Sequence, residues 1–445
     1  MKLMPSAILA ILVALPATAQ QQPNPNQPFP QWEVDQMKVD KAIEKGVAHL
    51  KAGDHTALRK HAERDVSDCE LVLYTYVHAG VPQDDPAFKT LFDDMIKRQM
   101  QATYCVSLQA MILEDLDRVK WQKRIAACAQ FLLDNQCTNG QWTYGSPSIY
   151  VEEMDATPTG GTKKDVPSGP GGDKVKSFES LPPAHGLKQK PKVGKHIKVE
   201  KKRDGPAGGD NSNTQYAALG LRACHDAGID LPPAVIDKAM TWWRTSQKED
   251  KDAKPEKLIE GGVNGPEVPK GPVGGGTVAG ARVTEVQAAP QGWCYGAHAD
   301  HKAYGSMSAG AIGSLAIYNY IKDNDEGKKR SWKKDKDAHE GLVWLAKNFS
   351  VTGNPGPYEH GGMAENSKHQ YYYYLYGLER AGMLYGTEVI GTHKWYPEGA
   401  KVLIEAQAAG GQWGDGVHDT CFAILFLKRA TAPLGVETHS VSSKR

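Results

Sequence analysis

The chain has 445 residues, room for one large domain or two to three ordinary ones. Hydrophobic residues make up 40% and charged residues 24%, the balance of a chain with a packed core. Lys+Arg 53 against Asp+Glu 52 leaves no overall field for nucleic acid or an acidic membrane.

The N-terminus opens with Lys2 before the apolar run Ala7 to Leu15, broken by Pro16 and followed by Ala17-Thr18-Ala19. A charged start, a short apolar stretch and two small residues at this spacing predict a secretory signal over 1–19, cleaved after Ala19. The run is far short of the roughly 20 residues that cross a bilayer, so a polytopic membrane protein is excluded and no transmembrane segment is expected after cleavage. Residues 20–36, rich in Gln, Pro and Asn, read as a flexible leader. The location implied is secreted or periplasmic. The seven cysteines lie mostly inside apolar patterns, where Cys behaves as a small buried hydrophobe. One or two disulfides remain open for an oxidising compartment.

From residue 37 to 430 apolar residues recur at helical spacing in twelve segments, which alternate in character. The first of each pair is amphipathic: Lys38–Lys51, Asp85–Gln101, Lys120–Gln136, Pro233–Gln247, Asp335–Phe349 and Pro397–Gln407. The second is apolar around nearly its whole circumference: Asp68–Ala79, Ala102–Leu113, Asn213–Ala227, Ser306–Ile321, His369–Ala381 and Asp419–Ala430. A helix apolar on all sides is surrounded by protein, so six amphipathic helices belong outside and six apolar ones inside. Closing such an array into a ring buries both ends and predicts an all-α fold, a single α6/α6 toroid of six helical hairpins. No run of alternating strand residues stands out.

The repeat is visible in the residues. Phe131-Leu132, Trp242-Trp243 and Val402-Leu403 stand five positions before Gln136, Gln247 and Gln407 respectively. Asn213-Thr214 and Asp419-Thr420 open two apolar segments, and Asn213 and Asp419 are expected to cap them. Two stretches rich in Gly, Pro and Lys, 145–210 and 248–291, interrupt pairs three and four and read as loop or disordered insertions; 431–445 reads as a tail. Lys163 to Arg203 carries twelve Lys/Arg against four Asp/Glu. Its plainer reading is a solvated basic loop, and the alternative is a docking segment for an anionic partner of the cell envelope.

Gln136, Gly140 and Trp142 fit QxxxGxW, as do Gln407, Gly411 and Trp413, each at the turn between an amphipathic and an apolar helix. A third copy is split, with Gln247 before the second insertion and Gly292-Trp293 after it. These resemble the QW motif of the terpenoid cyclase and protein prenyltransferase superfamily. Tyr371 to Gly382 and Gly305 to Leu315 are similar to secreted bacterial proteins with prenyltransferase and squalene oxidase repeats, a group mostly without assigned activity. The motif is structural: Gln bonds backbone at the helix junction, Gly permits the turn and Trp packs on the neighbouring repeat.

The relatives' chemistry is missing. The resemblance implies a DxDD acid for a cyclase, and the nearest strings are Asp84-Asp85, Asp93-Asp94 and Asp323-Asn-Asp-Glu326. For a prenyltransferase it implies an Asp-x-Cys zinc pair with a distant His; Cys294 with His418 comes nearest, but position 292 is Gly. Neither CxxC nor HExxH occurs, and no cofactor or bound metal is expected.

What remains is a candidate cavity lining. Cys294, His298, Asp300 and His301 form a local group of metal-capable side chains before an apolar helix, with a solvated turn as the plainer reading. His369, Tyr371, Tyr372, His418 and Asp419 lie near starts of apolar helices, where stacking and hydrogen bonding would hold an extended ligand. Packing is the plainer reading of the tyrosines, and capping that of Asp419. The expected function is binding of an unidentified small-molecule, lipid or glycan ligand or a partner at the cavity. The alternative is an enzyme acting there on a polysaccharide or a terpenoid or other lipid, with catalytic residues unknown.

Overall fold

The computed structural model describes residues 34–61, 64–152, 190–248, 254–261, 283–296, 302–327, 331–356 and 368–434. The expected signal segment, most of the leader, 153–189 of the first insertion and 435–445 of the tail lie outside the described residues.

The described chain is mostly helical, and all twelve expected segments are helices. They are α1 Gln36–Lys51, α2 Cys69–Ala79, α3 Pro86–Lys97, α4 Thr103–Asp117 and α5 Gln122–Asp134, then, after the single turn α6 Ile149–Glu152, α7 Asn211–Asp226 and α8 Pro233–Thr245. α9 Gly305–Asp325, α10 Lys336–Lys347, α11 Tyr371–Tyr385, α12 Trp395–Ala406 and α13 Val417–Lys428 complete the series. Asp35, Asp85 and Asp335 accept backbone N–H groups at the starts of α1, α3 and α10, and Gly80 and Gly386 end α2 and α11 in left-handed conformation.

The two kinds of helix bury different surfaces. α1 buries Val39, Ala42, Ile43, Gly46 and Leu50, a single stripe at three- and four-residue spacing. α13 instead buries every residue from Thr420 to Lys428. The apolar helices pack on one another in order, α2 on α4, α4 on α7, α7 on α9, α9 on α11 and α11 on α13; α13 also packs on α2. The amphipathic helices lie against them: α1 touches α13 and α2, α5 touches α4 and α7, and α12 touches α11 and α13. α1 and α12, from opposite ends of the chain, also meet.

Three junctions repeat one set of contacts. Trp142 Nε1 donates to Leu132 O at 2.7 Å, Trp293 Nε1 to Trp243 O at 2.7 Å and Trp413 Nε1 to Leu403 O at 2.8 Å, each time to the residue four before the junction Gln. Their backbone N–H groups bond Thr214, Ser308 and Thr420 hydroxyls, each at 3.0 Å. Gln136, Gln247 and Gln407 donate to Val235 O, Asp337 O and Ala42 O on the next amphipathic helix, at 2.8, 3.0 and 2.8 Å. Gly140 and Gly411 have φ of +99° and +93°, and a Cβ there would fall 2.3 and 2.4 Å from Lys238 O and Lys45 O, so only glycine fits. The split third copy therefore makes the same joint across its 44-residue interruption.

Three expectations are corrected. Asn213 does not cap α7: Asp210 does, accepting Asn213 N and Nδ2, both at 2.8 Å. Asp419 is likewise inside the first turn of α13, behind Gly416, and accepts Asp415 N at 3.2 Å. In both, the following Thr is tied to the junction Trp, which starts the helix a few residues earlier than the Asn or Asp. Strands, not expected at all, form four two-stranded ladders: β1 Arg59–His61 with β2 Arg64–Val66, β3 Ile197–Lys198 with β4 Ile229–Asp230, β5 Glu256–Gly261 with β6 Val283–Ala288, and β7 Val389–Ile390 with β8 His393–Lys394. β3–β4 is parallel and the rest are antiparallel. Each is too short for a period of two to show, and the β5–β6 hairpin lies within the stretch read as loop.

The described end of the basic insertion runs along α5 as a strap that keeps Lys192, Lys195, Lys198 and Lys202 exposed. Lys190 Nζ sits between Glu114 and Asp115, 2.6 Å from Asp115 Oδ1. Gln122 Nε2 then bonds Lys195 O at 2.6 Å, Lys201 Nζ donates to Gln136 O at 3.0 Å and Arg203 Nη2 to Ser146 O at 2.9 Å.

Candidate functional site

The first turns of α4, α7 and α11 bring hydroxyls together. Tyr104 and Ser212 hydroxyls are hydrogen bonded, and Ser212 Oγ is 3.2 Å from Tyr373 OH. Tyr104 and Tyr216 rings are 4.5 Å apart, and Tyr216 stacks on Tyr373 at 6.4 Å with planes 9° apart. Phe422 of α13 closes the cluster edge-on to Tyr373 at 5.5 Å. Tyr104 and Ser212 are half-buried while Tyr373 is buried. α7 and α11 both pack on α9, and these side chains reach each other past it.

Beside them, Asp210 is held above its ordinary value, because burial outweighs the bonds from Asn213 and Tyr295. Tyr295 itself is pushed up by burial and by the Asp210 charge.

The starts of α2 and α13 meet through charge. Asp68 Oδ1 lies 2.7 Å from Arg59 Nη2 and 3.0 Å from His418 Nε2. Burial pushes Asp68 up, but hydrogen bonds from His418 and Arg59 outweigh it and hold the carboxyl at about 2. His418, with a side chain 48% exposed, is thus an imidazole on a fixed carboxylate at a solvent boundary, an arrangement suited to proton transfer.

The expected lining residues separate. The Tyr372 hydroxyl is raised by burial and by the Asp419 charge. Tyr371 turns away: its hydroxyl donates to Val351 O at 2.6 Å and its ring carries Lys368 Nζ at 4.5 Å, so it packs a loop. Tyr374 does the same through Ser350 O at 3.0 Å. His369 is half-buried, and its carbonyl accepts Asn354 Nδ2 at 3.5 Å. Cys294 is 1% exposed and its Sγ donates to Gly296 O at 2.8 Å, a packed thiol. His298, Asp300 and His301 lie outside the described residues.

Two groups escaped the sequence reading. Arg380, in the middle of apolar α11, stands among Tyr216, Tyr373 and Tyr376, with its guanidinium carbon 5.3, 5.9 and 4.3 Å from their ring centres. At the other ends of α4 and α2, Lys190 and His78 depress Asp115 despite its burial, whereas burial raises neighbouring Glu114. The signal was present: Glu379-Arg380 and Glu114-Asp115 are charged pairs inside apolar helices, which occur only where something holds them.

Neither the protein-family models nor the curated proteins give a match to this chain.

Proposed function

We propose that this chain is an exported α6/α6 toroid, similar to the prenyltransferase and squalene-cyclase-like repeat proteins, that binds a ligand at the mouth where its inner helices begin. Two contacts support the ring: α13 packs on α2, and Gln407 makes with Ala42 the bond that Gln136 makes with the next helix in sequence. The packed tyrosines and Arg380 fill the space between α7 and α11, which favours a site at the mouth over a deep hollow.

The observation that carries the binding reading is the Tyr104–Ser212–Tyr373 hydroxyl chain, drawn from three helices, two of its residues half-buried. Hydroxyls on aromatic faces suit a small polar molecule, a glycan or the polar end of a lipid. The test is mass spectrometry of small molecules retained by the mature protein purified from its native extract. A retained species lost in Ser212→Ala and Tyr373→Phe, both still folded by circular dichroism, supports the reading. Retention unaltered in both variants overturns it.

A second reading, an enzyme acting on a polysaccharide or lipid at the same mouth, is favoured by His418 on Asp68. Turnover of such a substrate abolished by His418→Gln would support it. In a docking role for the basic insertion, Lys190, Lys201 and Arg203 already have partners within the protein, while Lys192 and Lys195 are exposed. Among the described residues no helix is long and apolar enough to cross a membrane.

A further inference from the structure

The connection between α1 and α2 ends in a three-way contact. Asp68 Oδ1 lies 2.7 Å from Arg59 Nη2 and 3.0 Å from His418 Nε2, and Arg59 Nη2 lies 3.3 Å from the same His418 nitrogen. A guanidinium only donates and a carboxylate only accepts, so His418 Nε2 has two exclusive states. Without a proton it accepts from Arg59; with one it donates to Asp68. The structure makes the Arg59–His418 hydrogen bond, whereas Asp68 Oδ1 has no well-aligned hydrogen bond to either neighbour. That is the arrangement of the unprotonated nitrogen.

Arg59 opens β1, the strand this contact holds. Arg59, Lys60 and His61 are all exposed, so β1 buries no side chain. Lys60 pairs with Asp65 of β2 at 2.8 Å, inside the hairpin itself. At the other end of β1 the His61 ring stands edge-on to Tyr144 at 4.8 Å, and Tyr144 O accepts Thr103 N at 2.8 Å, one residue before Tyr104. β1 thus reaches from the start of α13 to the start of α4, where the mouth cluster has its Tyr104.

The direction of the pH effect follows from which groups move. Asp68 belongs to the start of α2 and stays beside His418 when β1 departs; the guanidinium alone leaves. Asp419 acts on His418 by charge, Asp415 and Tyr372 of α11 act on Asp419, and all three stay with the helices. On the strand, Lys60 is matched by Asp65 and His61 sits at the far end. Losing a positive neighbour makes an imidazole bind its proton more readily, so acid favours release of β1 and neutral pH favours its hold.

We propose that His418 is a proton switch on the β1–β2 hairpin. Unprotonated, it holds Arg59 and keeps β1 against the rim of the mouth. Protonated, it turns to Asp68, repels Arg59 and frees β1, opening the rim beside Tyr144 and Tyr104. The switch rests on the binding reading for what it admits, and on the three contacts alone for its operation.

A nitroxide introduced through an unnatural side chain at Leu58, 55% exposed and next to Arg59, reports the motion of β1 in the full chain. Its spectrum is followed from pH 8 to pH 5, the range in which imidazole ordinarily changes charge. The mobile fraction should rise several-fold as the pH falls. His418→Gln, whose amide oxygen still accepts from Arg59 without titrating, should keep the label immobile throughout. Arg59→Gln, which lacks the guanidinium, should leave it mobile throughout. Both residues are half-exposed, so neither change empties the core. Ser212→Ala and Tyr373→Phe should keep the transition, so the switch and the binding reading can fail separately. A spectrum independent of pH in the unaltered chain, or a transition that persists in His418→Gln or Arg59→Gln, overturns the switch.

Discussion

Gln407 Nε2 donates to Ala42 O at 2.8 Å across 365 residues of sequence. The corresponding bonds of Gln136 and Gln247 reach the amphipathic helix that comes next in the chain; that of Gln407 reaches the first helix. The joint thus treats α1 as the successor of α12. Gln136 is almost fully buried and Gln407 is half-buried. Gln136→Ala is expected to cost about 1–3 kcal/mol and Gln407→Ala about 1 kcal/mol, read by urea unfolding. Trp142→Ala and Trp413→Ala, which empty fully buried sites, are expected to cost about 3–5 kcal/mol. A Gln407→Ala chain as stable as the parent would remove the joint's energetic role.

Small residues lie where each junction Trp meets the next helix. A Cβ on Gly46 would fall 2.7 Å from Trp413 Cζ3, and one on Gly341 2.7 Å from Trp293 Cζ3. The same register position in the remaining joint is Ala239, four residues after Val235. Gly46→Ala and Gly341→Ala should therefore lower stability by about 1–3 kcal/mol through overpacking, although alanine favours helix by roughly 1 kcal/mol. Stabilisation in calorimetry would mean that the Trp rings shift without cost.

Glu379 predicts a pH dependence. Complete burial pushes its carboxyl up to about 7, opposed by hydrogen bonds from Thr431. A carboxyl raised on folding contributes stability that is fully present below its unfolded value, near 4.5, and is lost as pH rises through about 7. The loss over that window is on the order of 3 kcal/mol. Glu379→Gln keeps an acceptor for Thr431 and should flatten that part of the stability profile. A slope unchanged in the variant would assign the dependence to other groups.

The helices were legible because two periodic signals, one apolar stripe and an all-apolar circumference, run through segments of ten residues or more. Even the split joint at Gln247 and Trp293 could be read, since its parts keep their spacing within each helix. The cap of α7 could not: Asn213 and Asp210 are equally good caps by type, and only the Thr214 contact with Trp142 selects Asp210. The site was half legible. Tyr372, His418 and Asp419 stand at helix starts in plain view, whereas Tyr104, Ser212 and Gln215 become a site only through contacts between helices distant in sequence. Tyr371 and Tyr374 share a row with Tyr372 and Tyr373, and three-residue helical spacing puts Tyr371 and Tyr374 on one face, against Val351 and Ser350, and the two between them on others.

All seven cysteines are free thiols. Burial pushes Cys137 to about 11 and Cys128 and Cys421 to about 12, which suppresses the reactive thiolate. The folded protein should therefore resist iodoacetamide at pH 8. In denaturant without reductant all seven should alkylate, counted by mass; two or more left unmodified would reveal a disulfide.

The ring is tested most directly by the distance between its two ends. Spin labels introduced through unnatural side chains at Lys41 and Glu405, exposed positions on α1 and α12, leave the native thiols untouched. Dipolar spectroscopy should give one narrow distribution at the spacing of adjoining helices, whose axes lie roughly 10 Å apart. A broad distribution centred several helix diameters away would mean that the first and last repeats do not meet, and the proposed mouth would have no closed wall.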